Sequence, residues 1–284
     1  MASLLELERI AALGWRGTET ATVGEWLLRA GHGFTGRANS VLPLGSPGAN
    51  LEDALVGISD FYRDRGQPIV FQIPEDSAGS QLDLLDRDLL GRGWLSYNTT
   101  VVLTASIATV TQSCPPAAHL PPASFAATPS QAWLSGYRYR GDPLPASAVA
   151  VLVNACDPVF ATVIDGGIHD GGIDTVIHGG IDTVIDGGTD SDEGPPAGVA
   201  RGVLTQGWLG VTAVTVAESR RRSGIGRHLM GELARWALER PEPAHSVYLQ
   251  VDEANSAAIA MYDRVGFVPH HRYHYLRRPL PPPA

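Results

Sequence analysis

Val211-Thr212-Ala213-Val214-Thr215-Val216-Ala217-Glu218-Ser219-Arg220-Arg221-Arg222-Ser223-Gly224-Ile225-Gly226 decides how this chain is read. Its first six residues are apolar or β-branched and form a strand-like run. A polar, basic loop follows and ends in Arg221-x-x-Gly224-x-Gly226. An amphipathic helix then runs from Arg227 to Leu238, with Leu229, Leu233 and Trp236 or Ala237 on its packing face. Glycines carry no side chain, so their backbone N–H groups can approach an anion closely. The helix start adds the positive end of a dipole and several unpaired donors. Arg220, Arg221, Arg222 and Arg227 add charge, and the whole suits a pyrophosphate. No Gly-Lys-Ser/Thr follows, so the loop is not a Walker motif. His228 and Leu229 stand where the dinucleotide fingerprint needs its third glycine. A Gly-x-Gly beside arginines is by itself also an ordinary turn, so the surroundings have to decide.

Downstream, residues 246–251 read as a second strand and lead into a second helix that starts near Asn255. Asn255 and Tyr262 are seven residues apart, which puts both on one helix face, two turns from each other. The first loop resembles motif A of the Gcn5-related N-acetyltransferase (GNAT) superfamily. Asn255-Ser256-Ala257-Ala258-Ile259-Ala260-Met261-Tyr262-Asp263-Arg264-Val265-Gly266-Phe267 resembles its motif B. The resemblance implies an α/β (α+β) fold with a mixed, mostly antiparallel twisted sheet flanked by helices. It implies acetyl-CoA as co-substrate and an amine as acceptor, which attacks the thioester directly without a metal. By that likeness the backbone of Val214, Thr215 and Val216 pairs with the pantetheine arm. Arg221, Arg222, Ser223, Gly224, Ile225, Gly226 and Arg227 hold the pyrophosphate, chiefly through backbone N–H groups. Asn255 bonds the cofactor arm, and Tyr262 protonates the leaving thiolate. Tyr262 also has a plain reading as a core tyrosine on a packed helix. The loop departs from the family at Glu218, often a proline, and at Arg222, often a glycine. Gln250 stands where some members carry a Glu, and glutamine cannot act as a base. Asp252, Glu253, His270 and His271 remain as base candidates, each with a competing reading as a solvated surface group. A non-catalytic acyl-CoA sensor and a scaffold built on a worn GNAT fold are the alternative functions.

The 284 residues are 44% hydrophobic, enough for one large or two medium units with a proper core. A net charge of -9 argues against a nucleic-acid binder working through a basic face. Cys114 and Cys156 form no CxxC pair or metal cluster, as expected of thiols in a reducing cytosol. No stretch reaches the ~18 apolar residues of a membrane span. Glu6 and Glu8 among the first leucines argue against a signal peptide, so a cytoplasmic location without a membrane partner is expected.

Three units are expected along the chain: a degenerate GNAT-like N-terminal domain at 1–110, a Pro/Ala-rich linker at 111–129, and the GNAT domain at 130–284. In the first, residues 24–30 and 38–44 read as a hairpin about the glycine-rich turn 31–36. Phe71-Gln72-Ile73, then residues 82–94, then 99–103 echo the order strand, helix, Gly-aromatic, strand found at 248–275. That half lacks the basic Gly loop and is expected not to hold CoA tightly, but to shape the substrate site. Gly36-Arg37-Ala38-Asn39-Ser40 is read either as substrate-facing or as a plain hairpin edge. Within the GNAT domain, residues 165–194 interrupt the pattern: IDTVIHGG at 173–180 is followed by IDTVIDGG at 181–188. The eight-residue period does not match the nonapeptide of calcium-binding β-rolls, and two copies cannot bury a solenoid core. His169 and His178 lack a convincing ligand set. The segment reads as an expanded surface insertion.

Overall fold

In this computed structural model, residues 2–138, 142–164 and 194–279 are described. The repeat at 173–188 and the two histidines within the insertion lie outside them. Most helices start where a small polar side chain closes the first turn. Ser3 caps α1 (Leu4–Gly14) in a capping box with Glu6. Asn50 caps α2 (Leu51–Arg63), Ser80 caps α3 (Gln81–Gly91), Ser106 caps α4 (Ile107–Ser113) and Ser130 caps α5 (Gln131–Gly136). Each such cap is worth about 1 kcal/mol. The short α6 (Ala148–Leu152) and the long α7 (Ile225–Leu238) have no side-chain cap, while Asn255 caps α8 (Ser256–Val265).

The strands are β1 (Glu19–Val23), β2 (Trp26–Ala30), β3 (Val41–Pro43), β4 (Val70–Pro74), β5 (Leu95–Ser106) and β6 (Ser124–Ala126). The later ones are β7 (Pro158–Ile164), β8 (Pro196–Thr205), β9 (Trp208–Val216), β10 (Ser246–Asp252) and β11 (Val268–Arg277). All join one sheet in the order β1-β2-β3-β4-β11-β5-β10-β9-β8-β7-β6. Neighbours are antiparallel except β3–β4 and β9–β10. The mixed, mostly antiparallel sheet expected from the sequence is therefore present. The two halves exchange strands. β5, from the first half, lies between β10 and β11 of the second, and β11 completes the ladder of β4. The order is symmetrical about the β11–β5 pair, with each half placing its parallel neighbours on the outer side.

Alternation along β5 splits the core into two layers. Val101 and Leu103 face α4, α7 and α8, together with Val247 and Leu249 of β10. Val102 faces the other way, with Tyr248, Tyr273 and Tyr275, against Leu7, Ile10 and Ala11 of α1. On α7, Leu229, Met230 and Leu233 are fully buried, each worth roughly 1.5–3 kcal/mol. α2 and α3 cover β2, β3 and β4 through Ile58, Tyr62 and Leu89.

Two local expectations need correction. The first hairpin is β1–β2, turning at Gly24 with φ +55°, and β3 adds only a three-residue ladder. Glu19-Thr20-Ala21-Thr22-Val23 has little apolar alternation because it is an outer strand, exposed along most of its length. Residues 31–40 are an irregular loop, tied by Asn39, whose Oδ1 accepts from the N–H of Gly31 (2.7 Å) and Gly33 (2.9 Å). The Pro/Ala-rich segment carries β6 and is fastened to α7. Arg235 donates to the carbonyl of Cys114 (2.8 Å), and His228 Nε2 lies 2.9 Å from the carbonyl of Pro121.

A buried polar chain ties α1 to the exchanged strands. Glu8, 1% exposed, meets His271 Nε2 of β11 at 2.8 Å and accepts from Gln72 Nε2 of β4 at 2.9 Å. Gln72 in turn accepts from Arg29 of β2 at 3.0 Å. Glu8→Ala strands two buried partners at once and is expected to cost about 3 kcal/mol, read as a lower urea midpoint at unchanged slope. The insertion leaves and re-enters at paired positions, Ile164 opposite Pro196. Replacing 165–194 by a short Gly/Ser turn is expected to keep the fold. An eightfold shorter loop stabilises by at most about 2 kcal/mol, which thermal unfolding will read.

Candidate active site

β9 is bent by an extra residue. Its register against β8 runs Arg201↔Thr212 but Val199↔Thr215, and Ala213 between them has φ +56°. A left-handed alanine costs about 1–2 kcal/mol, so the surrounding ladder must hold it there. The consequence appears on the other edge. β9 and β10 pair in parallel only over Trp208–Val211 and Ser246–Leu249. Beyond Leu249, β10 keeps its bonds to β5, with Gln250↔Val102 and Asp252↔Thr100, while β9 diverges. A wedge opens between them, and a cavity of about 920 Å³ fills it.

Val214 and Thr215 line one wall of this cavity, and Asn255, Ala258 and Tyr262 of α8 line another. Asn255 Oδ1 accepts from the N–H of Ala258 (3.1 Å), which orients the residue at the helix start. Tyr262 is 7% exposed, and burial pushes its phenol up to about 12. It is therefore protonated at neutral pH and able to donate. Val216, just past the lining residues, lies against Gly226: a Cβ there would come 3.7 Å from the valine side chain.

The basic loop continues from the end of β9 outside the cavity. A single 3₁₀ turn, Glu218–Arg220, precedes Arg221; Arg222 has φ +63° and Gly224 has φ +90°. Gly224 is the N-cap of α7 and offers no side-chain cap to the first-turn N–H groups of Ile225, Gly226 and Arg227. Ser223 Oγ donates to the carbonyl of Arg220 (2.5 Å), tightening the turn. The arginine side chains serve the protein itself in part. Arg221 sits 3.5 Å from Glu218, and the Arg227 guanidinium donates to the carbonyl of Ser113 at the end of α4 (2.7 Å from Nε). The Ile225 side chain is buried in the core.

Of the base candidates, only Asp252 lines the cavity, and its Oδ1 accepts from the N–H of Ala254 (2.9 Å). Glu253 pairs with Arg272 at 2.9 Å. His271 is no solvated surface group: its side chain is 4% exposed and belongs to the Glu8 chain, with His270 2.8 Å away. Gln250, which has no base chemistry, is central: its Oε1 accepts from Arg37 Nη1 (2.9 Å) and from the Tyr273 hydroxyl (3.3 Å). Arg37, Thr35 and Gly36 from the first half line the cavity, as do Tyr97, Tyr273 and Tyr275. Gly36 is required there, since a Cβ would press 2.7 Å from the Tyr275 ring. The Tyr273-x-Tyr275 spacing, two residues apart on a strand, was a readable sign of a shared face; of the stretch 36–40, read as substrate-facing or a hairpin edge, Gly36 and Arg37 line the cavity and none lies in a strand.

A family model described as "Probable histone acetyltransferase Rv0428c C-terminal" matches residues 2–276. The chain belongs to this family, within the GNAT superfamily. The GNAT chain is 25% identical over 294 residues to "Uncharacterized N-acetyltransferase YobR" of Bacillus subtilis (strain 168), covering 97% of this chain and 98% of that protein. It is 26% identical over 281 residues to "Probable histone acetyltransferase Rv0428c" of Mycobacterium tuberculosis (strain H37Rv), covering 97% and 74%. The fold matches that of a GCN5-related N-acetyltransferase from Kribbella flavida, with TM-score 0.63, 15% identity, and 99% and 97% coverage. This GNAT chain is accordingly an acyltransferase. Among the described residues, no cluster of three His, Cys, Asp or Glu stands ready for a metal, and no helix is long and apolar enough to cross a membrane.

Burial also raises the phenols of Tyr62 and Tyr248 to about 12, and those of Tyr273 and Tyr275 above the usual 10. The folded GNAT chain keeps protons that the unfolded one releases above pH 10, so stability holds below pH 10 and falls as pH rises through 12. Tyrosinate absorbance is expected to appear in one cooperative step with loss of structure.

Proposed function

We propose that this protein transfers an acetyl group from acetyl-CoA to an amine by direct attack, with the wedge between β9 and β10 as the reaction site. The divergence of these strands beside Tyr262 carries the reading. It leaves strand backbone in Val214, Thr215 and Val216 unpaired toward the open side, which suits the amide-bearing pantetheine arm. The first-turn donors of α7, opened by Gly224 and Arg222 in left-handed conformations, suit a pyrophosphate. Residues Arg221, Ser223, Ile225, Gly226 and Arg227 complete that cradle through their backbone. Asn255, at the start of α8, is available to the arm through its amide N–H₂.

The co-substrate supplies an acetyl group activated as a thioester. The acceptor nitrogen, neutral when it attacks, forms the new C–N bond as the C–S bond breaks. Its proton leaves to water, and Tyr262 delivers a proton to the departing sulfur. In this reading residues 130–284 form the catalytic unit and residues 1–110 a degenerate copy that closes the acceptor side. The reaction is placed in the cytoplasm, with no nucleic acid, membrane or metal taking part. A histone, the acceptor in the name of the mycobacterial relative, and a small free amine are the two acceptor classes in view.

Tyr262→Phe tests the chemistry. It is expected to lower kcat by roughly 10²-fold or more with KM for acetyl-CoA little changed, and calorimetry is expected to find CoA binding intact. Unchanged turnover rules out the tyrosine as donor. Binding without any turnover by the wild type points to the sensor reading instead.

A further inference from the structure

The point where β9 and β10 part is fastened to the first half of the chain. Gly210 and Val211 make the last parallel pairs of β9, with Tyr248 and Leu249. The Tyr248 hydroxyl lies between Gly210 and Gly14, and a Cβ on either glycine would collide with it. Gly14 is the last residue of α1, so that helix ends directly over the apex of the wedge. One residue further along β9, Thr212 stands opposite Arg201 of β8, and its Oγ1 accepts from Arg201 Nη1 at 3.4 Å. Ala213, with its left-handed backbone, comes next.

The Arg201 side chain is fully buried and joins three elements besides its own. Its Nη1 also donates to the carbonyl of Gly14 (3.0 Å), and its Nε donates to the carbonyl of Leu152 (2.7 Å). Gly14 and Leu152 are the final residues of α1 and α6. Carbonyls at a helix C-terminus lack an intrahelical N–H and carry the negative end of the dipole, so they suit a buried cation. Burial lowers the Arg201 pKa to about 10, and the side chain stays charged at neutral pH. The guanidinium lies 5.1 Å from the ring centroid of Trp15, the residue after α1. The Trp15 indole N–H donates to Thr35 Oγ1 (2.9 Å), and Thr35 lines the same cavity as Thr212.

A buried charge is costly, and a strand position that needed only packing is filled at less cost by an apolar side chain. What the guanidinium adds is a rigid fork that fixes oxygens from several elements at once. We propose that Arg201 is a positioning residue for acyl transfer: by fastening Thr212 to the ends of α1 and α6 it holds the β9 bend at Ala213, and with it the width of the wedge that receives the acyl-CoA arm. This rests on the wedge being the acyl-transfer site. The bend is strained, so β9 relaxes once the fork is lost, and the arm loses its fixed strand. Tyr262 stands on α8, which forms another wall, so the loss falls on the affinity for acetyl-CoA.

The test measures Kd for acetyl-CoA by calorimetry on the full-length protein. Arg201→Met and Arg201→Lys, the second keeping the charge without the fork, are expected to weaken binding by about tenfold. Thr212→Val cuts only the bond to the bend and leaves Arg201 on its helix ends. It is expected to weaken binding by about tenfold too, whereas Thr212→Ser, which keeps the hydroxyl, stays within about twofold of the wild type. A glycine adopts the left-handed backbone without strain, so Ala213→Gly added to Arg201→Met is expected to bring Kd back to within about threefold of the wild type. A residue that served stability alone would lower the unfolding temperature without this pattern. Acetyl-CoA binding within about twofold of the wild type in folded Arg201→Met overturns the proposal. If that variant does not fold, the same result in Thr212→Val overturns it. A loss that Thr212→Ser shares in full, or that Ala213→Gly leaves uncorrected, overturns it as well. Wild-type protein that binds no acetyl-CoA fails the wedge reading itself, a separate outcome.

Discussion

Everything in this molecule depends on β5 and β11 lying side by side at the centre of the sheet, each inserted into the other half's ladder. A strand in that position satisfies backbone groups that would otherwise form two open edges. The exchange makes the halves inseparable, because neither has a complete sheet without the other's strand. It also sets distances. β11 carries Tyr273 and Tyr275 to the cavity and His271 to Glu8, so the site and the buried polar chain share one element. α1 then seals the junction, with Leu7, Ile10 and Ala11 against the tyrosines of β10 and β11.

The wedge is the second consequence of geometry. β10 is held along its full length by β5, so when the bulge at Ala213 turns β9 aside, only β9 moves away. The strained residue is kept in place from both ends: β8 pairs on either side of it, and Arg201 reaches Thr212 next to it. The first half supplies the remaining wall. Asn39 knots the 31–39 loop, Trp15 donates to Thr35 (2.9 Å), and Arg37 crosses to Gln250. A loop so heavily bonded holds Arg37 in one position at the cavity.

The residues proposed for the cofactor side could be grouped from the sequence because their relations are local. Gly224, Gly226 and the helix they open are adjacent in the chain, and Asn255 and Tyr262 share one short helix. The strand and helix positions near them followed from side-chain period for the same reason. β1 was not legible, since an exposed edge strand needs no apolar alternation. The Pro/Ala-rich stretch read as a linker because its anchorage comes from α7 side chains over a hundred residues away, such as Arg235 on Cys114. His271, open to a surface reading, and Glu8 are 263 residues apart and meet only in the folded chain.

The sequence by itself determined the glycine-bearing loop that opens α7, the Asn255–Tyr262 helix and the kind of sheet, because backbone conformation and side-chain period are written in neighbouring residues. Only the tertiary structure decided which side chains complete the cavity. Arg37 and Gln250 stand 213 positions apart and meet because β5 and β11 exchange places. Arg201 is charged, buried and uncompensated by any bonded carboxylate among the described residues, a condition that depends on what surrounds it in space. No period or motif encodes such surroundings.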